Sequence, residues 1–114
     1  LPQLQGKLDG LAMRVPVPDG SIVDLVCRLN RQASRDDVNK AVREAASGPL
    51  QKIVEYSEAP LVSSDIIGNT HSSIFDALST HSQDDGYARI VSWYDNEWGY
   101  SNRSVDIMEK MAKM

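Results

Sequence analysis

Asn96 is the residue whose position and chemistry best suit it to hold a ligand. It follows an apolar run that ends near Ser92, and a helical pattern begins shortly after it. The side-chain amide offers a donor and an acceptor, so it can pair with another carboxamide in one orientation. Strand-to-helix junctions are also where α/β-type folds place ligand contacts. The competing interpretation is a turn or capping residue, a common role for Asn.

Arg14 is the second candidate, because it stands between Met13 and Val15 in a segment predicted to be an apolar strand. An unpaired guanidinium there would be costly, so this pattern predicts an anionic partner. The planar fork of Arg suits phosphate. Two alternatives remain from the residues alone: an ion pair with a carboxylate such as Asp24, or exposure at the end of a sheet.

The sequence offers no convincing nucleophile, triad or metal site. Cys27 alternates with apolar residues on one strand face and has no neighbouring His, which predicts a buried, inert thiol. A triad could be drawn from His71, Ser72, Ser73 and Asp76. Adjacent residues of a strand point to opposite faces, however, so the reactive atoms of His71 and Ser72 are not expected to meet. His81 is expected at the surface, and two isolated histidines do not indicate a metal site.

The elements that position these residues follow from local patterns. Ser34 and Asp37 have capping-box spacing, and Gly48 with Pro49 ends the helix that follows them. A terminal helix carries an apolar face that needs a partner surface. We expect strands at 15–18 and 21–29 joined as a hairpin, a helix at 35–46, strands at 53–57, 64–67, 73–78 and 87–94, and a helix at 101–113.

Composition bounds the functional classes. The chain has 114 residues, 41% hydrophobic and 25% charged, which is ordinary for one globular domain. A net charge of −4 with no basic run argues against nucleic-acid binding. We expect no membrane segment and a cytoplasmic location, and the single cysteine fits a reducing compartment.

Four segments carry a resemblance to phosphorylating glyceraldehyde-3-phosphate dehydrogenases, in the order of that family: LDGLAMRVPVPDGSIVDLV at 8–26, PLVSSDIIGN at 60–69, HSSIFDA at 71–77 and SWYDNEWGYSNR at 92–103. The resemblance implies that residues 1–114 are the C-terminal portion of a catalytic domain. The nucleotide-binding domain, the nucleophilic cysteine and its histidine partner would lie outside these residues. Thr70 and the run from His81 to Gln83 depart from the family pattern. The polar run is expected to weaken the strand that precedes the turn at 84–86 and to reduce its burial.

The same resemblance implies roles for three residues. Asn96 would hold the carboxamide of the nicotinamide of NAD or NADP, Tyr100 would lie close to that ring, and Arg14 would bind the substrate phosphate. The implied fold is α+β, a mixed and largely antiparallel sheet with helices on one face and a C-terminal helix. The implied substrates are glyceraldehyde 3-phosphate and phosphate, and the implied assembly is a homotetramer. Alternatives are a non-enzymatic fragment that acts as an interaction surface, or part of an erythrose-4-phosphate dehydrogenase.

Overall fold

The computed structural model describes residues 2–83 and 85–114. After a single 3-10 turn at Pro2–Leu4, the chain has no regular structure until β1. The elements are β1 (Ser21–Arg28), α1 (Arg35–Ser47), β2 (Val54–Ser57), α2 (Ser63–Ile66), β3 (Ser73–Ser82), β4 (Tyr87–Tyr94) and α3 (Trp98–Met111). Within these described ranges, none of the helices has the length and apolar composition needed to cross a membrane.

The four strands form one mixed sheet in the order β1-β4-β3-β2. β4 pairs antiparallel with β1 on one side and with β3 on the other, and only β2 runs parallel to its neighbour β3. The predicted α+β class with a largely antiparallel sheet is confirmed. The β1–β4 register sets Ser21 opposite Tyr94, so the start of β1 lies beside the end of β4.

Helix α1 covers one face of the sheet over β2 and β3. Its N-terminus has the predicted capping box, in which the Ser34 hydroxyl accepts the Asp37 N–H and the Asp37 carboxylate accepts the Ser34 N–H. The guanidinium of Arg43 lies 4.6 Å from the ring centre of Tyr56, which stacks on Phe75. The predicted boundaries were right to within one residue because the cap and the glycine stop are local signals.

Two predicted strands are wrong. Residues 15–18 form no strand, because Pro16 and Pro18 lack N–H donors and the Val17 N–H donates locally to the Val15 carbonyl at 2.9 Å. The predicted hairpin is therefore absent. Residues 64–67 fall largely in the short helix α2, where the Asp65 carboxylate accepts the Val62 N–H at 2.9 Å.

Strand β3 continues to Ser82, four residues beyond its predicted end. His81 and Gln83 are exposed, in line with the doubt that the sequence placed on burial there. Its pairing with β4 shifts register between Asp76 and His81. The Asp76 carboxylate accepts both the N–H and the hydroxyl of Ser79 at 3.0 Å, which holds this bulge. Main-chain pairing extends β3 although His81 is exposed, as expected.

Candidate functional site

Asp95 fixes the junction between β4 and α3. It is only 5% exposed, and one carboxylate oxygen accepts the N–H groups of Glu97 at 2.9 Å and Trp98 at 2.6 Å. The other oxygen accepts the Gly68 N–H at 2.9 Å. The bond from Trp98, followed by the one from Gly68, lowers the pKa of Asp95. Asp95 therefore caps α3, which explains why the helix begins three residues before its predicted start at Ser101.

Asn96 lies next to this cap and does not itself cap the helix. Its main-chain N–H donates to Asp19 Oδ1 at 3.2 Å, and its Oδ1 accepts a hydrogen bond from the Ser21 hydroxyl. The residue is exposed, and its Nδ2 group donates to no other residue in the part of the chain that the structure describes. The amide is thus held at one end and free to meet a ligand with the other, which removes the capping interpretation.

Tyr100 lies in the first turn of α3, at the same end of the helix as Asn96. Its side chain is 77% exposed. The neighbouring residue Gly99 is buried and packs the start of the helix against the main chain of His71. A methyl group on Gly99 would come within 2.7 Å of the His71 carbonyl oxygen, so only glycine permits this close approach. The structure therefore brings Asn96 and Tyr100 to one exposed corner. Their contact with a nicotinamide ring stays a prediction.

Arg14 is not in a strand, so the physical argument for its role fails. It lies in the irregular segment before β1, and it is exposed. Among residues 2–83 and 85–114 it forms no ion pair, and Asp24, its proposed structural partner, instead binds Arg89 through two bonds of 2.6 and 2.7 Å. An exposed guanidinium needs no anion to offset burial. The phosphate role of Arg14 therefore stays a prediction that rests on the resemblance.

The rejected catalytic groups remain apart. Cys27 is half-buried on β1, less enclosed than expected. The Nδ1 atom of His71 lies 3.1 Å from Asn69 Oδ1 and 3.3 Å from Glu55 Oε2, whereas the Ser73 hydroxyl pairs with the hydroxyl of Ser92. In the described part of the chain, no serine hydroxyl or cysteine thiol bonds to a histidine ring.

Three acidic side chains surround the junction, with carboxylate oxygens of Asp19, Asp95 and Glu97 within 4.8 Å of one another. Backbone N–H groups already occupy both oxygens of Asp95, and Asp19 Oδ1 accepts from Gly20 at 2.6 Å as well as from Asn96. The carboxylates of Asp19 and Asp95 therefore serve as acceptors for main-chain N–H groups at this junction. The sequence had indicated only a turn at Asp19, since its contact with Asn96 spans 77 positions.

Comparison of the sequence with known proteins agrees with the resemblance carried by its motifs. Residues 1–96 match the family described as glyceraldehyde 3-phosphate dehydrogenase, C-terminal domain. Over 113 residues the chain is 53% identical to the glyceraldehyde-3-phosphate dehydrogenase of Mycolicibacterium smegmatis, covering 99% of the chain and 33% of that protein. The Schistosoma mansoni enzyme is 54% identical over 114 residues, covering 100% of the chain and 34% of its own length.

A chloroplastic glyceraldehyde-3-phosphate dehydrogenase of Arabidopsis thaliana is 52% identical over 112 residues, covering 98% of the chain and 27% of that protein. The chain thus spans about a third or less of the length of these curated relatives. Similarity extends through the junction that carries Asp95, Asn96 and Tyr100, because the alignments cover nearly the whole chain. The chain belongs to the glyceraldehyde-3-phosphate dehydrogenase family, to its C-terminal domain.

Proposed function

We propose that residues 1–114 act as the C-terminal portion of the catalytic domain of a phosphorylating glyceraldehyde-3-phosphate dehydrogenase that uses NAD or NADP. The complete enzyme would convert glyceraldehyde 3-phosphate and phosphate into 1,3-bisphosphoglycerate in the cytoplasm, as part of glycolysis or gluconeogenesis. The family match and the identity of 53% to a relative of that name support this proposal.

The observation that carries the cofactor role is the geometry of Asn96. Its Oδ1 is held by Ser21, while the residue is exposed and its Nδ2 group bonds to no other described residue. The Nδ2 group can donate to the carbonyl oxygen of the nicotinamide carboxamide, and the second lone pair of Oδ1 remains as an acceptor for its NH₂ group. When bound, the cofactor supplies the hydride acceptor. Asn96 orients the ring, and Tyr100, on the adjacent turn, bounds the space beside it.

Arg14 supplies the phosphate-binding group in this proposal. Its exposed guanidinium is not engaged by a carboxylate among the described residues, so both edges of the fork remain available for an oxyanion. The bidentate geometry that Arg offers suits a phosphate monoester. The chain thereby contributes binding and orientation to the reaction.

The bond-making groups lie elsewhere in the complete enzyme. Cys27 is half-buried in β1 with Ala88 opposite it on β4, and no base lies beside it among the described residues. A thiolate nucleophile needs such an activating neighbour. We therefore assign the catalytic cysteine, its histidine base and the nucleotide-binding domain to other segments of the protein. Residues 1–114 alone are expected to be inactive.

Exposed apolar surface supports incorporation into a larger assembly. On α3, Ile107, Met108 and Met111 are each at least 60% exposed, and on β1 Val26 is 62% exposed. Such surfaces mark sites of association. In the complete enzyme they would contact the nucleotide-binding domain and the other subunits of a homotetramer. The same surface favours the alternative of a non-enzymatic fragment that acts only through binding.

An assay of the full-length protein that carries these residues separates the proposals. We expect reduction of NAD or NADP that requires both glyceraldehyde 3-phosphate and inorganic phosphate. Faster turnover of erythrose 4-phosphate would favour the related dehydrogenase. Absence of turnover with either aldehyde, in a folded protein that contains the cysteine segment, would contradict the enzymatic function and favour the binding role.

A further inference from the structure

Ser21 is the side chain that holds the amide of Asn96, although the two residues are 75 positions apart. Ser21 begins β1 and lies opposite Tyr94, the last residue of β4. This register places its hydroxyl next to Asn96, two residues beyond the end of the strand. The hydroxyl donates to Asn96 Oδ1.

The segment before β1 gives Asn96 a second contact. Asp19 Oδ1 accepts the Asn96 main-chain N–H at 3.2 Å, so residues 19 and 21 contact both the backbone and the side chain of Asn96. Gly20 lies between them with a φ of +86° and is buried against Ser63. An added methyl at Gly20 would approach the Ser63 carbonyl oxygen to 2.6 Å, so this turn is tightly packed.

We propose that Ser21 is a positioning residue that fixes the rotation of the Asn96 carboxamide and thereby the orientation of the nicotinamide ring. The inference rests on the proposed function of Asn96. A carboxamide has a donor end and an acceptor end, and rotation by half a turn exchanges them. A hydroxyl bonded to Oδ1 selects one of these arrangements before the cofactor binds. Preorganisation of this kind reduces the entropy lost on binding.

The experiment uses the full-length enzyme and two cofactors, NAD and its analogue with 3-acetylpyridine in place of nicotinamide. The analogue keeps the carbonyl oxygen of the carboxamide but has a methyl group in place of its NH₂. The ratio of kcat/KM for the two cofactors therefore reports the bond from that NH₂ to Asn96 Oδ1, the atom that Ser21 holds. The variants are Ser21→Ala, Asn96→Ala and the double variant, with Ser21→Thr as a rescue because it keeps the hydroxyl. Ser101→Ala is the matched control, since its hydroxyl bonds the Glu97 carbonyl at the same junction.

We expect Ser21→Ala to reduce the preference for NAD about threefold to tenfold, the scale of one lost hydrogen bond. Ser21→Thr and Ser101→Ala should keep the wild-type preference. In the Asn96→Ala background, Ser21→Ala should cause no further loss, because a residue that acts through Asn96 has nothing left to position. A merely structural role would lower stability without changing the ratio.

Two results would overturn the inference. One is an unchanged cofactor ratio in Ser21→Ala while Asn96→Ala reduces it; the other is a pair of losses that multiply in the double variant. If Asn96→Ala itself leaves the ratio unchanged, the cofactor role of Asn96 fails and the inference fails with it. If Ser21→Ala does not fold, Ser21→Cys tests the same point, because its S–H is a weak donor of similar shape.

Discussion

Removing the Asp95 carboxylate should loosen the start of α3 in the full-length enzyme. In Asp95→Ala, the N–H groups of Glu97, Trp98 and Gly68 lose their acceptor. Loss of an N-terminal cap costs about 1 kcal/mol. A bond to a charged group contributes about 1.5 to 3 kcal/mol. Because Gly68 is exposed and water can replace its partner, we expect the lower end, about 2 to 3 kcal/mol in all.

Hydrogen exchange measures this loosening locally, because it reports the opening of each amide separately and does not require two-state unfolding of the whole protein. Each 1.4 kcal/mol corresponds to about a tenfold faster exchange of the affected amides. We expect faster exchange at Gly68, Glu97 and Trp98 in Asp95→Ala and a smaller change in Asp95→Asn. The asparagine keeps an oxygen for the helix but turns its NH₂ toward the Gly68 N–H.

The stabilisation contributed by the Asp95 carboxylate should decrease as the pH falls. The folded-state pKa of Asp95 is lowered, mainly by the Trp98 N–H. Its contribution to stability is therefore fully present above the ordinary Asp pKa of about 3.9 and is lost as the pH falls through the lower folded value. The difference in opening free energy of the junction amides between wild type and Asp95→Asn should be constant from about pH 7 to pH 5. It should shrink only below about pH 4.

A control and a contradicting result complete this test. Glu109 is exposed on α3, so Glu109→Ala should leave exchange at the junction unchanged. Wild-type protection of the three amides in Asp95→Ala would show that the carboxylate does not hold the junction. If the difference in opening free energy between wild type and Asp95→Asn grew as the pH fell, the pKa of Asp95 would not be lowered in the folded protein.

Three further predictions concern stability and activity. Gly99→Ala should destabilise the protein by about 1 to 3 kcal/mol, because the added methyl would lie 2.7 Å from the His71 carbonyl oxygen. This loss should exceed the gain from the better helix propensity of Ala. An unchanged melting temperature would argue against this packing. Arg14→Leu should lower kcat/KM for glyceraldehyde 3-phosphate by roughly 10- to 150-fold, the equivalent of about 1.5 to 3 kcal/mol, whereas the exposed control Arg31→Leu should not; equal kinetics for both variants would remove Arg14 from the site. The isolated chain should show no dehydrogenase activity, and turnover that Cys27→Ser abolishes would refute that expectation.

Local signals predicted the parts of the fold that local chemistry decides. The capping box at Ser34 marked α1 to within one residue of its end, and the bounds of β4 at Tyr87–Tyr94 were predicted without error. The strand predicted at 15–18 was wrong because β-branched residues cannot replace the two main-chain N–H donors that the prolines lack. Burial of Arg14 was inferred from that strand and failed with it.

Long-range contacts at the site lay beyond sequence reasoning. Asn96 stood out because its residue type and junction position are local facts. Its contacts with Asp19 and Ser21 depend on the pairing of β1 with β4, which sets residues more than 70 positions apart beside each other. The capping role of Asp95 was hidden in the same way, since one of its three hydrogen bonds comes from Gly68 on a different loop.

The cofactor role of Asn96 is tested most directly by the rate of hydride transfer in a single turnover of the full-length Asn96→Ala protein. The melting temperature of the same variant is measured beside it, with Asn30→Ala, an exposed amide before α1, as the control. We expect a rate lowered by about tenfold or more, with an unchanged melting temperature, because the nicotinamide ring loses its alignment while no buried apolar volume is removed. A lowered melting temperature with a wild-type rate would contradict that role.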